Sequence, residues 1–560
     1  MKLVRLKIES KEGFRSLPEN FEIKFHEKHD RDSFASFNPF CLVGLNGCGK
    51  SNVMEALALI FFHVELCISE HLPDYIVDDH LFDPCKCTLD AFTLEYFIKN
   101  DLSHDSPRSE WSLIRIAKKV GEAPKLTVFE PYLGPAKIFS VTLDDNQEAN
   151  ISFLRQYLPE YIVAYSSGEN ETLSIPFIKS RLLHLEEFKQ ATIGNYKKYI
   201  NPENNLIYID ANMSQAILLC CLLNEQESTL KSLADYDNTG ILTVRRFRMC
   251  LRKREFFDSA GSKYSYFKLL ERDLFPKLEA CSTMSWYDEE CKTYYFDFYV
   301  NDATKQAFAA HFGTSMECFQ MFRLLYELNN YAVSNEKVAE VISSSGVYTY
   351  GKFGLPGAED DVFHFLDFYI EKQVERGGKS CEMLLRQLSD GEHQFIHTMA
   401  ICLLLKDADS LLLLDEPETH FNPSWRSRFI SILDETLRSA CGEETGYIQY
   451  ANFKKDILIT SHSPFIISDC QSENVIILNK NEKGETYAET ALKKGIKTYG
   501  TSIGLLMSQI FDSTSSIGKH SEDGIQQVIK DGGSKDEIKR KLNHRFGDSV
   551  EKLLAIESLE

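Results

Sequence analysis

Alternating hydrophobic and charged residues mark the first strands of the chain. Between Val4 and Ile8 every second residue is apolar and the others are charged, and residues 21–25 repeat the pattern with Phe and Ile. Strict alternation of this kind is typical of strands with one buried face. Further strand-like segments lie at residues 93–98, 111–116 and 161–165. The N-terminal part of the chain is therefore predicted to be rich in strands.

Three short runs of apolar residues do not alternate. Phe40–Val43 ends at a glycine and is followed by a helical pattern that continues to about Leu66. Leu411–Leu414 and Ile457–Ile459 are also continuous apolar runs, and each leads into polar residues. Short continuous runs of this kind predict strands buried on both faces, as in a parallel sheet covered by helices. The pattern favours an α/β fold.

Changes in composition divide the chain into four parts. Residues 1–170 contain most of the strand-like segments, and residues 171–380 read as an inserted, mostly helical domain rich in Phe, Tyr and Leu without sustained heptads. Residues 381–480 form a second compact block in which helices and strands alternate. Residues 481–560 are a more polar extension, with an amphipathic helix expected from Lys535 onward.

Composition limits the class of protein. The chain has 560 residues, of which 43% are hydrophobic, so a large folded core is expected. Its net charge of -21 means that any nucleic-acid contact must come from a local patch. Fifteen cysteines lack a regular spacing, and the sequence contains neither an export signal nor a sufficiently long apolar run to cross a membrane. A cytoplasmic protein without a membrane contact is expected.

The sequence GLNGCGKS over residues 44–51 fits the phosphate-binding pattern G-x-x-x-x-G-K-[ST] between a predicted strand and a helix. Its glycines would let backbone N–H groups surround phosphate oxygens at a helix N-terminus. Lys50 would reach the β- and γ-phosphates, and the hydroxyl of Ser51 would ligate Mg²⁺. The candidate nucleotide-binding residues of this loop are Gly44, Asn46, Gly47, Gly49, Lys50 and Ser51. The alternative is an ordinary glycine turn with a solvated lysine.

Two carboxylates and a histidine follow the other buried strands. Asp415 would help to hold Mg²⁺, and Glu416 would accept a proton from a water that attacks the γ-phosphate. His462 follows the strand that ends at Thr460 and could donate a hydrogen bond to the γ-phosphate. Without the phosphate loop, the acids would read as a surface loop and the histidine as a loop residue. ATP and Mg²⁺ are the ligands predicted.

The segment LSDGE at residues 388–392 opens a helix. Ser389 is a plausible N-cap, and Gly391 leaves the amides of the first turn open to an anion. Alone, this segment would predict no more than a capped helix. Its position between the phosphate loop and the sequence LLLLDEPE, which is followed by SHSP, gives it a functional meaning.

This order of motifs resembles the ABC-type ATPase heads, in particular the RecF, SMC and OLD branch, and the sequences DEPETHFNP and SHSPF resemble OLD-like ATPases of bacterial defence. The resemblance implies an α/β head with a P-loop mixed sheet, flanking helices and an inserted helical domain. It also implies that two subunits pack head to tail, so that Ser389 and Gly391 of one complete the site formed by Lys50, Asp415 and Glu416 of the other. Asn422 would then face the partner subunit.

Two features depart from the family pattern. The glutamine loop is not evident, and Asn170 or Glu169 are its candidate substitutes. The C-terminal extension lacks the spaced carboxylates of the nuclease domain found in OLD nucleases, so no nuclease activity is expected in this chain. A chain of this kind is similar to the PtuA-type ATPase subunits of Septu anti-phage systems, which act with a separate HNH nuclease and in some cases beside a retron and its DNA. The alternative is a RecF- or SMC-like repair ATPase that loads on DNA without a toxic effector.

A basic cluster lies within the expected helical insert. Helical spacing would place Arg245, Arg248 and Arg252 on one face, where a nucleic-acid backbone or a partner that carries one could bind. The alternative is a solvated face neutralised by acids of this chain. The candidate residues are Arg245, Arg246, Arg248, Arg252, Lys253 and Arg254.

Overall fold

The computed structural model describes most of the chain in separate ranges. These are residues 1–28, 34, 37–69, 82–99, 111–129, 137–141, 154–168, 171–193, 205–210, 213–254, 256–257, 263–264, 267–330, 335–344, 361–440, 454–513 and 515–559. Every structural statement below concerns these residues. Asn170 and Glu169, the candidates for the glutamine-loop position, lie outside them.

Strands occur throughout the described chain. They are β1 (Lys2–Ile8), β2 (Glu22–Lys24), β3 (Phe40–Val43), β4 (Phe92–Lys99), β5 (Trp111–Lys118), β6 (Lys125–Phe129), β7 (Lys137–Ser140), β8 (Tyr161–Ser166), β9 (Leu206–Ile209), β10 (Ile241–Arg252), β11 (Phe256–Phe257), β12 (Lys263–Tyr264), β13 (Met284–Asp288), β14 (Thr293–Tyr299), β15 (Phe363–Gln373), β16 (Ser380–Leu384), β17 (Ser410–Asp415), β18 (Lys455–Thr460), β19 (Val475–Lys480) and β20 (Thr486–Thr490). The N-terminal strands predicted from alternation are confirmed.

Helices flank these strands. They are α1 (Lys50–Cys67), α2 (Glu171–Ile193), α3 (Ser214–Asn224), α4 (Lys231–Ala234), α5 (Phe267–Asp273), α6 (Phe275–Cys281), α7 (Asp302–Phe312), α8 (Ser315–Glu327), α9 (Asn335–Ser343), α10 (Asp390–Leu404), α11 (Pro423–Arg426), α12 (Phe429–Ala440), α13 (Pro464–Ser468), α14 (Ile503–Phe511), α15 (Lys519–Lys530), α16 (Lys535–Arg545) and α17 (Val550–Glu557). No described helix combines the length and the apolar character that a bilayer-spanning segment needs.

A seven-stranded sheet in the order β20-β19-β3-β18-β17-β8-β9 forms the centre of the molecule. Its strands are parallel except β20, which is antiparallel to β19. Strand β17 lies inside this sheet, and all six of its residues are buried, as the continuous apolar run predicts. The α/β fold class with a P-loop sheet and flanking helices is confirmed.

Alternate residues of β17 face two different hydrophobic cores. Leu412 and Leu414 pack into a core that includes helices α3 and α10, whereas Leu411 and Leu413 pack into a core that includes α1 and the strands β1, β4 and β5. Both cores therefore depend on the same strand. The second core is closed by an antiparallel sheet in the order β2-β1-β4-β5-β6-β7.

The mostly helical character expected for residues 171–380 needs correction. This part contains helices, but it also contributes β9 to the central sheet and β10, β13, β14 and β15 to a five-stranded antiparallel sheet with the order β13-β14-β10-β15-β16. Phe247, Phe298 and Phe368 point from this sheet into the core shared with α10. The aromatic residues that suggested helices therefore include the inner face of a sheet.

The central sheet continues beyond residue 480, where the sequence placed the C-terminal extension. Strand β20 pairs with β19, and Leu506 and Ile510 of α14 are buried in the core that contains α10. Helices α15, α16 and α17 form a small core of their own, which includes Ile538 and Leu542. The amphipathic helix predicted from Lys535 onward is confirmed as α16.

Candidate nucleotide-binding site

The phosphate loop connects β3 to α1, and its glycines have backbone angles that favour glycine. The φ angles of Gly44, Gly47 and Gly49 are 144°, 75° and 93°. A Cβ atom at Gly44 would lie 2.3 Å from the carbonyl oxygen of Leu478, whereas one at Gly47 would meet no atom within 4 Å. Glycine at position 44 thus allows close packing on β19. Gly47 and Asn46 lie at the exposed mouth of the loop.

The amine of Lys50 is folded back over the phosphate loop. It donates hydrogen bonds to the carbonyl oxygens of Gly44 and Leu45, at 3.2 and 3.4 Å, and lies 2.9 Å from Nε2 of His462. Burial lowers the pKa of this amine, although the carboxylates of Glu416 and Asp415 oppose that shift. The amine is thus held among oxygen and nitrogen atoms at the centre of the loop.

Asp415 joins the phosphate loop to the ends of two neighbouring strands. In the sheet register it lies opposite Thr460 on β18 and Ser166 on β8. Its Oδ1 accepts hydrogen bonds from Oγ1 of Thr460 at 2.6 Å and from Oγ of Ser51 at 3.1 Å. Oγ of Ser166 lies 3.4 Å from its Oδ2. Parallel strand pairing therefore brings these oxygen atoms to the first turn of α1.

Glu416 has a left-handed backbone, with φ of 49°. Its N–H donates to Oγ1 of Thr460 at 3.0 Å, which fixes the turn after β17. The side chain is 41% exposed. Burial of the rest of the group and the neighbouring Asp415 raise its pKa, and Lys50 opposes this. A raised pKa makes a carboxylate a better proton acceptor at neutral pH.

His462 lies between Lys50 and Glu416. Burial, together with the charge of Lys50, lowers the pKa of its imidazole, so the neutral form dominates at pH 7. Nε2 of the ring can accept a hydrogen bond from the amine of Lys50 when the ring proton is on Nδ1. Nε2 is also 3.4 Å from Oε1 of Glu416. The ring of Phe511, at the end of α14, has its centroid 6.0 Å from that of His462.

A second glutamate, Glu418, lies behind the turn after β17, and the sequence did not predict a role for it. It is buried, and Oγ of Ser461 donates a hydrogen bond to its Oε1. Oγ of Ser461 also accepts from the N–H of Ser463 at 2.9 Å. Burial, with a further contribution from Glu416, raises the pKa of Glu418 to about 7. Glu418 therefore anchors the segment that carries His462.

We expect Glu418→Gln to change how stability depends on pH. The folded pKa of about 7 exceeds the ordinary value of 4.5, so folding of the wild type becomes less favourable as the pH rises from about 4.5 to 7. The loss can reach about 3 kcal/mol. Gln removes this loss, so the variant gains stability relative to the wild type between pH 5 and pH 8 in urea unfolding. Glu557→Gln, at an exposed position, is the control. Parallel pH profiles for Glu418→Gln and the wild type would contradict the assignment.

Ser389 and Gly391 open helix α10 at a cleft whose lining does not include Lys50. Ser389 is the N-cap, as the sequence predicts, and the structure adds a reciprocal cap from the side chain of Glu392. A Cβ atom at Gly391 would lie 2.8 Å from the carbonyl oxygen of His420, which explains the glycine. This end of the helix lines an open cleft of about 610 Å³. The cleft is lined by Ser389, Asp390, Gly391, Glu392, His420, Asn422 and Trp425.

Two further polar residues position the site. Gln394 of α10 is buried, accepts a hydrogen bond from the N–H of His420 at 2.9 Å, and has its Nε2 3.5 Å from the carbonyl oxygen of Glu416. It therefore links the cleft to the turn after β17. Ser16, before β2, accepts a hydrogen bond from Nδ2 of Asn52 at 2.8 Å beside the phosphate loop. The sequence signal for Gln394 was a glutamine within an otherwise apolar helix, and Ser16 had no such signal.

The basic cluster lies on a strand, so the helical face expected for Arg245, Arg248 and Arg252 is wrong. All three lie in β10, and Lys253 and Arg254 follow that strand directly. Carboxylates of this chain neutralise four cations, as the alternative interpretation expects. The pairs are Arg245 with Glu371, Arg246 with Glu382, Arg248 with Asp297, and Lys253 with Glu271. Arg252 and Arg254 also have interactions of their own.

The residues of the loop fit a nucleotide with its Mg²⁺. Three glycines with positive φ open the loop, one of them with free space beside it, and the loop leads directly into the N-terminus of an 18-residue helix. The oxygen atoms of Ser51, Asp415 and Thr460 gather at that helix. Oxygen ligands of this kind suit Mg²⁺. The sequence-predicted residues Lys50, Ser51, Asp415, Glu416 and His462 are therefore brought together, whereas Ser389 and Gly391 line the separate cleft.

Part of the chain matches a known family. Residues 353–468 match a family model described as "AAA domain, putative AbiEii toxin, Type IV TA system". This range includes Ser389, Asp415, Glu416 and His462, but not the phosphate loop. The retron Ec83 probable ATPase of Escherichia coli is 23% identical over 154 residues, which cover 24% of this chain. The match spans only 26% of the length of that relative.

Solved structures of Smc heads are also similar to this chain. One is an Smc head bound to the C-winged helix domain of ScpA, with a TM-score of 0.34 and 10% identity over 89% of this chain and 100% of the other. Another, from Pyrococcus furiosus, has a TM-score of 0.32 and 10% identity over 88% of this chain and 97% of the other. Residues 353–468 are thus similar to an AAA-type domain, and the phosphate loop lies outside the matched range.

Proposed function

We propose that this chain is the ATP-binding and ATP-hydrolysing subunit of a bacterial anti-phage defence complex. In this proposal it dimerises head to tail around ATP and controls a separate effector nuclease of the HNH type. The observation that carries the ATPase part is the convergence of the phosphate loop, the turn after β17 and the end of β18 on one set of contacts. Ser51 and Thr460 meet at Asp415, and Lys50 and Glu416 meet at His462.

Each residue has a separate role in this proposal. Lys50 leaves its contacts with the loop carbonyls and binds phosphate oxygens of ATP, to which it can donate up to three hydrogen bonds. Ser51 and Asp415 would hold Mg²⁺. Mg²⁺ supplies charge neutralisation at the phosphates when it is bound. Glu416 accepts the proton of the attacking water, and His462, neutral at pH 7, donates a hydrogen bond to the γ-phosphate.

The cleft at the start of α10 supports the dimer. Ser389 is exposed there, and the N-terminus of α10, which is the positive end of the helix dipole, lies at the same cleft. In a head-to-tail dimer this end would face the ATP bound by the partner subunit. Asn422, on the rim of the same cleft, would lie in that interface. ATP would then hold the two subunits together.

The defence role and the nuclease partner rest on similarity. The retron ATPase relative and the family description, which names a toxin of a toxin–antitoxin system, both point to bacterial defence. The specific system that we propose is Septu, in which the ATPase subunit acts with a separate HNH nuclease. Purification of the native complex, with identification of its protein and nucleic-acid components, tests this part. An HNH nuclease in the complex supports the proposal, and a complex with replication proteins alone contradicts it.

Complementation between two inactive variants tests the head-to-tail arrangement. Lys50→Ala removes the phosphate ligand, and Ser389→Arg blocks the helix end that a partner would supply. Neither variant alone should release phosphate from ATP. In an equal mixture about half of the dimers contain both variants, and each of these has one intact site, so roughly a quarter of the wild-type rate should return.

A double variant, Lys50→Ala/Ser389→Arg, is the control for this mixing experiment. Lys50→Ala mixed with the double variant Lys50→Ala/Ser389→Arg contains no intact phosphate loop and should stay inactive. Failure of the first mixture, when the wild type hydrolyses ATP and Ser389→Arg is folded, would contradict the dimer but not the ATPase activity. Hydrolysis by Ser389→Arg alone at the wild-type rate would also contradict the dimer.

A further inference from the structure

Within the described part of the chain, one face of the five-stranded sheet that contains β10 packs on the core and the other is partly exposed. Along β10 the apolar residues Phe247, Met249 and Leu251 point into the core, so Arg246 and Arg248 point to the opposite side. The same alternation turns residues of the neighbouring strands outward. These residues are Met284 and Trp286 on β13, Tyr295, Asp297 and Tyr299 on β14, and Leu366 and Tyr369 on β15. We name this set the sheet face.

Aromatic rings are concentrated on the sheet face. Tyr299 is 58% exposed, and Trp286, Tyr295 and Tyr369 are each partly exposed. The rings of Trp286 and Tyr295 are stacked, with centroids 5.0 Å apart and an angle of 15° between their planes. Large aromatic rings are normally buried, so an open row of them on a rigid sheet offers flat apolar surfaces to a ligand.

Arginines lie between these rings and are held in place. In the register, Arg246 lies between Tyr299 and Tyr369, and its guanidinium carbon is 3.9 Å from the ring centroid of Tyr369. Arg248 donates two hydrogen bonds to the carboxylate of Asp297, at 2.5 and 2.8 Å, and its guanidinium carbon is 5.0 Å from the ring centroid of Trp286. The planar guanidinium groups are therefore fixed beside the rings, where they can stack on other planar groups.

Charge distinguishes the sheet face from the rest of the protein. The chain has a net charge of -21, yet six cations lie between Arg245 and Arg254. Carboxylates match the arginines of this face, Arg245 with Glu371, Arg246 with Glu382 and Arg248 with Asp297, so these pairs carry no net charge. A polyanion would therefore be repelled less here than by the acidic remainder. Ordered rings with interleaved arginines are the composition with which proteins bind unpaired bases.

We propose that the sheet face binds single-stranded nucleic acid by stacking bases on Trp286, Tyr295, Tyr299 and Tyr369. Arg246 and Arg248 stack beside the bases and contact few phosphates, since carboxylates already occupy part of their hydrogen-bonding capacity. A duplex keeps its bases paired and stacked, so it cannot use these rings. The proposal does not depend on ATP hydrolysis, and Lys50→Ala should bind the strand as the wild type does.

Fluorescence anisotropy of the full-length chain tests this proposal. The probes are a labelled 20-nucleotide poly(dT), the matching poly(U) and a DNA duplex of the same length. Trp286→Ala and Tyr299→Ala should each weaken binding of the single strands about tenfold, from the loss of one stacked base. Tyr499→Ala, which removes a tyrosine that is 63% exposed outside this sheet, should have no effect. Increasing salt should weaken binding only slightly, with a slope of roughly -2 on logarithmic axes for about two or three phosphate contacts.

Each result has a defined meaning. Preferential binding of DNA or of RNA identifies which single strand is bound and supports the proposal, provided that the ring variants weaken it. The proposal is overturned if neither single strand binds, if the duplex binds as tightly as the single strands, or if Trp286→Ala and Tyr299→Ala bind as Tyr499→Ala does. If the ring variants leave oligonucleotide binding unchanged but abolish capture of a protein from the native complex, the face is a protein interface. Thermal melting confirms that all three variants are folded.

Discussion

Glu416→Gln is expected to reduce the rate of phosphate release from ATP by about a hundredfold or more while nucleotide binding is retained. The amide cannot accept the proton of an attacking water, and general-base catalysis typically contributes 10²–10⁴-fold to a rate. Gln has the same shape as Glu and keeps the backbone hydrogen bond of residue 416 to Thr460. Phosphate release under saturating ATP measures the effect, and size-exclusion chromatography with ATP should show dimers that persist.

The control for Glu416→Gln is Glu435→Gln, at an exposed position on α12. It should hydrolyse ATP as the wild type does. If Glu416→Gln kept more than a tenth of the wild-type rate, Glu416 would not be the general base, and another group would have to accept the proton. If it lost nucleotide binding as well, the role of Glu416 would be in binding rather than in the chemical step.

Lys50→Ala should weaken ATP binding by about 10- to 100-fold, because hydrogen bonds to charged groups contribute about 1.5–3 kcal/mol. In the proposed defence complex this variant should also fail to protect cells from phage. Titration of a fluorescent ATP analogue measures the first effect, and plating efficiency of phage measures the second. Removal of the amine also leaves the Nε2 atom of His462 without its donor, 2.9 Å away in the wild type. Lys50→Ala is therefore expected to lose a small amount of thermal stability.

Lys483→Ala, which removes an exposed lysine in the turn between β19 and β20, is the matched control. It should bind ATP and protect cells as the wild type does. Full protection by Lys50→Ala, with ATP binding weakened as expected, would contradict a role for nucleotide in protection. Unchanged ATP binding by Lys50→Ala would contradict the assignment of the phosphate loop itself.

The parts of the site that depend on local sequence could be predicted. The phosphate loop needs glycines at fixed spacing between a strand and a helix, and the structure places that loop between β3 and α1. The strand Leu411–Leu414 could be predicted because continuous burial on both faces leaves no polar residue in it. Both depend on neighbours within a few residues, so the pattern carries the necessary information.

Other parts depend on which strands become neighbours. Burial raises the pKa of Glu418, and its hydrogen-bond partner Ser461 comes from a different strand end, so nothing in its own segment shows this environment. The basic cluster was assigned to a helix because Arg245, Arg248 and Arg252 fit a period near 3.6. The alternation of Arg246, Phe247, Arg248 and Met249 fits a period of two equally well, and the pairing of β10 with β14 and β15 decides between them.

The contact between Ser51 and Asp415 joins residues that are 364 positions apart in the chain. During synthesis the phosphate loop therefore leaves the ribosome long before the carboxylate that it needs. The entropy lost on closing so large a loop grows only with the logarithm of its length, so the late strands can still reach the sheet. Until β17 and β18 insert between β3 and β8, the nascent chain has an unfilled gap in its sheet. We therefore expect the complete nucleotide site to form only after β17 and β18 have joined the sheet.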